Sequence, residues 1–251
     1  MKILAITQAR YGSSRLPGKI LKTIDGITLL EIHLQRILQA KNITRLMIAT
    51  TTEEGADKII EIGNKLNVCS YKGSVDNVLE RFYKTALPEN PDYVVRLTSD
   101  CPLIDPVIID QVIDCCIKNN VDYCSNTIIP TFPDGLDVEV FRFSALERAY
   151  NEATLKSDKE HVTPYIWRNS SLKGGNIFTS FNMECFTDYS DLRITVDTDK
   201  DFILIERLIE MLGVNKPWID YVTILIKNDK IRSINSESIR NEGYQKSLNN
   251  D

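Results

Sequence analysis

An apolar run, Ile3-Leu-Ala-Ile6, leads into Gln8-Ala-Arg-Tyr-Gly-Ser-Ser-Arg-Leu-Pro-Gly-Lys19, and this loop leads to Leu29-Leu30-Glu-Ile-His-Leu-Gln-Arg-Ile-Leu38. The first run reads as a short buried strand, and the last places its apolar residues on one helical face. A strand, a loop of Gly, Ser, Arg and Lys, and a helix make an α/β opening with a place to hold phosphates. Small residues let backbone N–H groups approach the oxygens, and the cations neutralise them. Residues 1–24 hold five cations (Lys2, Arg10, Arg15, Lys19 and Lys22) and no acid, whereas the whole chain is net −5. Positive charge is therefore concentrated at this loop. A merely solvated basic loop has no need of such placement. A Walker A loop is excluded, because five residues separate Gly12 from Gly18 and Ile20 follows Lys19 where a hydroxyl would be required. The Gly-x-Gly-x-x-Gly of dinucleotide sites is also absent.

The first half of the chain alternates. Strands are expected at 3–7, 46–50, 69–71, 93–98 and 123–126, and helices at 29–39, 55–66, 75–86 and 106–119. Such alternation with short links predicts an α/β fold, a mainly parallel sheet with helices on both faces. Asp105 before Pro106 reads as a helix N-cap. The pattern breaks at 128–134, which holds Pro130 and Pro133. Further strands are expected at 136–141, 176–182 and 193–197, and helices at 144–154, 159–169 and 199–212. Residues of about 130–185 are read as a lobe inserted into one domain spanning 1–231. Residues 232–251 are polar and read as a loose or partner-packed tail.

Length and 43% hydrophobic content suffice for one such domain. The acidic balance argues against a nucleic-acid partner. Six cysteines without Cys-x-x-Cys argue against zinc and suggest reduced, buried thiols. No signal-peptide pattern and no membrane-length apolar run are found, so a cytoplasmic protein without a membrane partner is expected.

In open parallel sheets, ligands bind at the carboxyl ends of strands. Three clusters fall there: the Gln8–Lys19 loop, Ser99-Asp100-Cys101-Pro-Leu-Ile-Asp105, and Asp197-Thr198-Asp199. Two acid clusters opposite a basic loop suggest Mg2+ on Asp100 and Asp197, completed by phosphate oxygens and water. Asp105 and Asp199 read as N-caps instead. Arg96 and Arg193 lie in expected strands, where they pair with the acids or touch substrate. Ser74 and Asp76 end a strand and open a helix, so Ser74 is a cap, a nucleotide contact, or both. Asp137 and Glu139 alternate on one strand face, suited to sugar hydroxyls or simply to solvent. His161 is an acid–base group, an acceptor contact, or a helix or interface residue. His33, Trp167 and Trp218 read as structural.

The loop Ala9–Lys19 resembles the nucleotide-binding loop of CTP-dependent sugar-acid cytidylyltransferases, the synthetases of CMP-sialic acid and CMP-KDO. Over nearly the whole chain the resemblance is to the spore coat polysaccharide biosynthesis protein F group. It rests on Gln8–Lys19, Gly73-Ser-Val-Asp-Asn-Val-Leu-Glu-Arg81, 100–105, Pro133-Asp-Gly-Leu-Asp-Val-Glu139, Glu160-His-Val-Thr-Pro164 and Thr195-Val-Asp-Thr198. The 131–185 stretch does not match the KDO or sialic acid enzymes. The resemblance implies a Rossmann-like nucleotide-diphospho-sugar transferase fold and a homodimer. It implies transfer of CMP from CTP to a sugar or sugar acid, with loss of pyrophosphate, for surface polysaccharide. Arg15, Lys19 and Asp100 would be catalytic, and Gln8, Ala9, Arg10, Gly12, Ser13, Ser14, Thr98 and Ser99 would bind nucleotide beside Ser74 and Asp76. Asp134, Asp137, Glu139, Glu160, His161 and Arg193 would face the acceptor. Two other readings are a glycosyltransferase consuming a nucleotide sugar and a non-catalytic nucleotide-binding protein. The former has no need of three cations for a triphosphate tail.

Overall fold

A computed structural model describes residues 1–13, 15–249 and 251. The strands are β1 (Ile3–Gln8), β2 (Thr23–Ile24), β3 (Ile27–Thr28), β4 (Arg45–Thr51), β5 (Cys69–Gly73), β6 (Tyr93–Thr98), β7 (Tyr123–Ser125), β8 (Glu139–Arg142) and β9 (Ser180–Asn182). The first helices are α1 (Leu29–Ile37), α2 (Ala56–Lys65), α3 (Val78–Ala86) and α4 (Pro106–Lys118). Then come α5 (Phe143–Glu152), α6 (Lys156–His161), α7 (Pro164–Arg168), α8 (Asp199–Leu212), α9 (Trp218–Lys227), α10 (Asp229–Arg232) and α11 (Glu242–Leu248).

Seven strands form one sheet in the order β5-β4-β1-β6-β8-β7-β9. Only β8 runs against its neighbours β6 and β7; the other pairings are parallel. The mainly parallel sheet expected from alternation is therefore present. Successive residues of β1 point to opposite faces, so Ile3 and Ala5 join one apolar core while Leu4 and Ile6 join the other. Helices α1, α2, α4, α8 and α9 cover the first face, and α3, α5 and α7 the second. Each fully buried Leu, Ile or Phe side chain adds roughly 1.5–3 kcal/mol. Both β8 and β9, from the stretch 130–185, are strands of this central sheet.

Several local expectations change. Residues 193–197 do not return as a strand: one isolated bridge joins Arg193 to Asp134, because the segment's N–H groups bond to loop carbonyls, Ile194 to Asp134 and Val196 to Asp100. The helix expected over 159–169 splits into α6 and α7, since Val162 turns to φ 73° ahead of Pro164. Thr198, not Asp199, caps α8 in a capping box with Asp201. Asn77 caps α3, while Ser74 accepts from the Asn77 N–H one turn earlier. Asp105 does cap α4 through the Val107 N–H. The hairpin β2–β3 was not anticipated, although its turn, Asp25-Gly26 at φ 50° and 79°, carries the usual hairpin pair. All six cysteines are free, but Cys69 is exposed and Cys115 and Cys185 are half-buried.

Candidate functional site

The loop after β1 curls around one tyrosine. The N–H groups of Ser13 and Gly18 both donate to the Tyr11 carbonyl, at 2.9 and 3.0 Å. Gly18 (φ 66°) and Gly55 (φ 90°) admit the Tyr11 ring, which a Cβ at either position would meet at 3.0 and 2.7 Å. This curl turns Arg10, Ser13, Arg15 and Lys19 toward a cleft of about 1120 Å³ at the ends of β1 and β6.

The cleft gathers most of the residues picked out from sequence. Gln8, Ala9, Arg10, Ser13, Arg15, Lys19, Asp76, Thr98, Ser99 and Asp100 line the half beside the cationic loop, with Asp197 beside them. Asp134, Asp137, Glu139, Glu160, His161 and Arg193 line the opposite half. Gly12 and Ser74 are not among the lining residues: Gly12 lies against the Glu53 carboxylate, and Ser74 is engaged in the turn before α3. Ser14 lies outside the described residues.

At the centre, the Lys19 ammonium donates to Asp100 at 3.1 Å and to Asp197 at 2.8 Å. Arg15 and Arg193 reach Asp197 as well, at 2.8 and 2.9 Å. Burial alone pushes the Asp100 carboxyl up, but the Lys19 charge and the Thr98 hydroxyl more than offset it and hold it well below the usual range. Lys19 is desolvated too, yet the two carboxylates keep its affinity for a proton high. Two hard carboxylate oxygens, one from the end of β6 and one from the loop before α8, thus meet a single cationic group. That donor pair fits magnesium, which takes few protein carboxylates and completes its shell with phosphate and water. No cluster of three or more His, Cys, Asp or Glu ligands occurs among the described residues.

The second half is charge-balanced in pairs. Glu139 is buried against Arg96 and accepts from the Tyr123 and Thr163 hydroxyls, both at 2.6 Å. It is not the solvated strand residue that one reading of the sequence allowed. Arg193 pairs with Asp134 and, at 2.9 Å, with the buried Asp201. His161 shares a 2.9 Å hydrogen bond with Ser247. Burial and the Arg96 charge lower its pKa to about 4, so its imidazole is neutral near pH 7.

Sequence reading missed two sets of residues. Arg81 is buried on α3, gives one N–H to the Ser74 carbonyl at 2.6 Å, and leaves Nε without a partner. Burial and the neighbouring Arg10 charge lower it to about 10. Its legible signal was a cation on the face formed by Val78, Leu79 and Phe82. The second set lies in residues 240–249, which cross the cleft, and at Asp251. Arg240 pairs with Asp137 at 2.6 Å, Glu242 with Arg15 at 2.9 Å, and Asp251 accepts from Ser157. No local pattern announces contacts made across 103 and 227 residues of chain.

A parallel sheet ending in a cationic loop, with two acids facing that loop, defines a nucleotide-binding protein of the nucleotidyltransferase kind. The sequence pattern of cytidylyltransferases matches residues 4–226. The chain belongs to the cytidylyltransferase family and is thus a CTP-dependent nucleotidyltransferase. It is 31% identical to the spore coat polysaccharide biosynthesis protein SpsF of Bacillus subtilis (strain 168) over 242 residues, covering 90% of this chain and 95% of that one. It is 35% identical to 3-deoxy-manno-octulosonate cytidylyltransferase of Haemophilus influenzae (strain PittGG) over 127 residues, 50% of this chain and 49% of that one. A solved cytidylyltransferase from Leptospira borgpetersenii superposes with a TM-score of 0.86 at 34% identity, covering 92% of this chain and 97% of that one.

Proposed function

We propose that this protein transfers CMP from CTP to a hydroxyl of a sugar acid, releasing pyrophosphate, in the making of a surface polysaccharide. The observation that carries the reading is the cleft itself. One half offers Arg10, Arg15, Lys19 and buried Arg81, and the other offers acids and hydroxyls suited to a sugar. Arginine forks match phosphate oxygens bidentately, while lysine acts as a point charge. The likeness to a named sugar-acid cytidylyltransferase over half the chain supports the acceptor class. The likeness to SpsF supports the polysaccharide role.

In this reading Arg10, Arg15 and Lys19 hold the triphosphate tail, and Ser13, Thr98, Ser99 and Gln8 fix the nucleotide beside them. Asp76, at the mouth of α3, faces the ribose or base. Asp100 and Asp197 would hold Mg2+, which when bound offsets charge on the phosphate oxygens. The Lys19 ammonium supplies positive charge at both carboxylates, and that charge holds Asp100 ionised while substrate arrives. Asp134, Glu139, Glu160, His161 and Arg193 orient the acceptor. We further propose a cytoplasmic homodimer. No helix among the described residues is long and apolar enough to cross a membrane.

The test is a screen of the four nucleoside triphosphates against 2-keto sugar acids and sugar phosphates, with pyrophosphate as readout. Release with CTP and a sugar acid is expected. Release only with a purine triphosphate, or with no acceptor at all, would overturn the proposal.

A further inference from the structure

We propose that Asp137 is the general base that takes the proton from the attacking acceptor hydroxyl, and that Arg240 of the C-terminal segment positions it. This rests on the cytidylyl-transfer reading above.

Among the described residues, seven other carboxylates line the cleft: Asp76 stands at the nucleotide-side mouth of α3, Glu242 pairs with Arg15, Glu160 accepts from Ser247 beside His161, and the other four are Asp100, Asp197, Asp134 and Glu139. Asp100 is tied to Lys19, and Asp197 to Lys19, Arg15 and Arg193. Both belong to the phosphate side. Asp134 gives Oδ2 to Arg193, a guanidinium shared with Asp197 and Asp201, which ties it to the phosphate side. Both oxygens of Glu139 are occupied, Oε2 by Arg96 and Oε1 by Tyr123 and Thr163. Asp137 differs. It lines the same cleft, its Oδ1 accepts from Arg240 at 2.6 Å, and its Oδ2 accepts no hydrogen bond among the described residues. A general base needs a free lone pair directed to where the hydroxyl arrives, and a proton affinity near the working pH.

The surroundings supply that affinity. Burial raises the Asp137 carboxyl first, Arg240 pulls it back, and Asp134, Glu139 and Asp100 push it up, for a value of about 7. The Cys101 thiol, which senses the Asp137 charge, is held protonated by burial. Arg240 is itself fixed by donating to the Phe132 carbonyl at 3.0 Å. It holds one carboxylate oxygen and leaves the other free.

The step balances simply. The acceptor O–H proton moves to Asp137 Oδ2, and the oxygen lone pair forms the bond to the α-phosphorus. The bond from that phosphorus to the bridging oxygen breaks, its electron pair leaving on pyrophosphate. The carboxylic acid then returns its proton to water.

Pyrophosphate release is followed from about pH 5 to 9 in the wild type, Asp137→Asn and Arg240→Met, with CTP binding measured by calorimetry. The wild-type rate should rise as the carboxyl ionises. Asp137→Asn, of nearly the same shape, should lose at least about 100-fold in kcat while binding CTP normally. Arg240→Met should lower kcat, because the carboxyl is less well placed, and also move the acid limb to higher pH, since the cation lowers the carboxyl's proton affinity. A merely structural arginine would lower the rate without moving the limb. Turnover of Asp137→Asn within a few-fold of wild type, loss of its CTP binding, or an acid limb that Arg240→Met leaves in place would overturn the proposal alone. A wild type that releases no pyrophosphate with any acceptor would overturn the transfer reading and this step together.

Discussion

At the scale of single residues, His33 shows how a group far from substrate conditions the site. Its Nδ1–H donates to the Cys101 carbonyl at 2.8 Å, next to Asp100, and its Nε2 meets the Thr7 hydroxyl at 2.8 Å. A carbonyl can only accept, which assigns the tautomer. Burial lowers this imidazole to about 4, against a partial offset from the carbonyl. In the unfolded chain it titrates near the ordinary value of about 6.5. The folded state therefore binds fewer protons between these values. Its contribution is intact above pH ~6.5 and is lost as pH falls toward ~4, amounting to roughly 3 kcal/mol. His161 is lowered to about 4 as well and acts in the same sense. Urea unfolding of wild type should weaken across that window. In His33→Asn, whose amide can still donate to the carbonyl, the slope should fall by about one proton, with Asp137, raised to about 7, opposing the histidines in both proteins. An unchanged slope would place the acid sensitivity elsewhere.

At the scale of elements, the short segment before β8 does more than connect strands. Gly135 sits at φ +113°, and a Cβ there would lie 2.6 Å from the Ile194 backbone. The close approach lets Asp134 reach Arg193 and sends Asp137 into the cleft. Gly135→Ala combines positive φ with a backbone clash, and we expect it to cost at least about 2 kcal/mol. Thermal unfolding checks this, and a midpoint within about 2 °C of wild type would count against it. The same segment marks where sequence reading stops. The strands β1, β4 and β6 and helices α1 and α4 were legible because alternation and caps are local signals. The stretch 193–197 looked like a strand by composition. Its Arg193 is instead turned onto Asp134, Asp197 and Asp201, and its backbone serves loops rather than a sheet edge. Side-chain destinations of that kind are tertiary and leave no periodicity. The cationic loop and Asp100 could be named because each follows a strand, β1 and β6, whereas Asp197 was named from a strand that does not form. That Lys19 would stand between those acids could not.

At the scale of the whole molecule, the C-terminal segment joins both halves of the cleft. Arg240 meets Asp137 in one half, Glu242 meets Arg15 at the cationic loop in the other, and Ser247 meets His161 and Glu160. Tyr244 packs edge-on against His161 and Trp167. These ties are unequal. The Arg240–Asp137 pair is largely shielded, with side chains 16% and 26% exposed, whereas Arg15 and Glu242 are 35% and 37% exposed. An exposed pair contributes at most about 1 kcal/mol. A triphosphate arriving at Arg15 brings several negative charges and repels Glu242, so the two anions compete for one guanidinium. Glu242→Gln removes the competitor, and CTP should then bind more tightly, by up to about 5-fold. Calorimetry at low and high salt separates this from a packing effect, because screening should erase an electrostatic difference. Weaker binding in the variant would mean that Glu242 holds the loop in its receptive shape. The segment would then be a brace for the nucleotide site rather than a rival to its ligand.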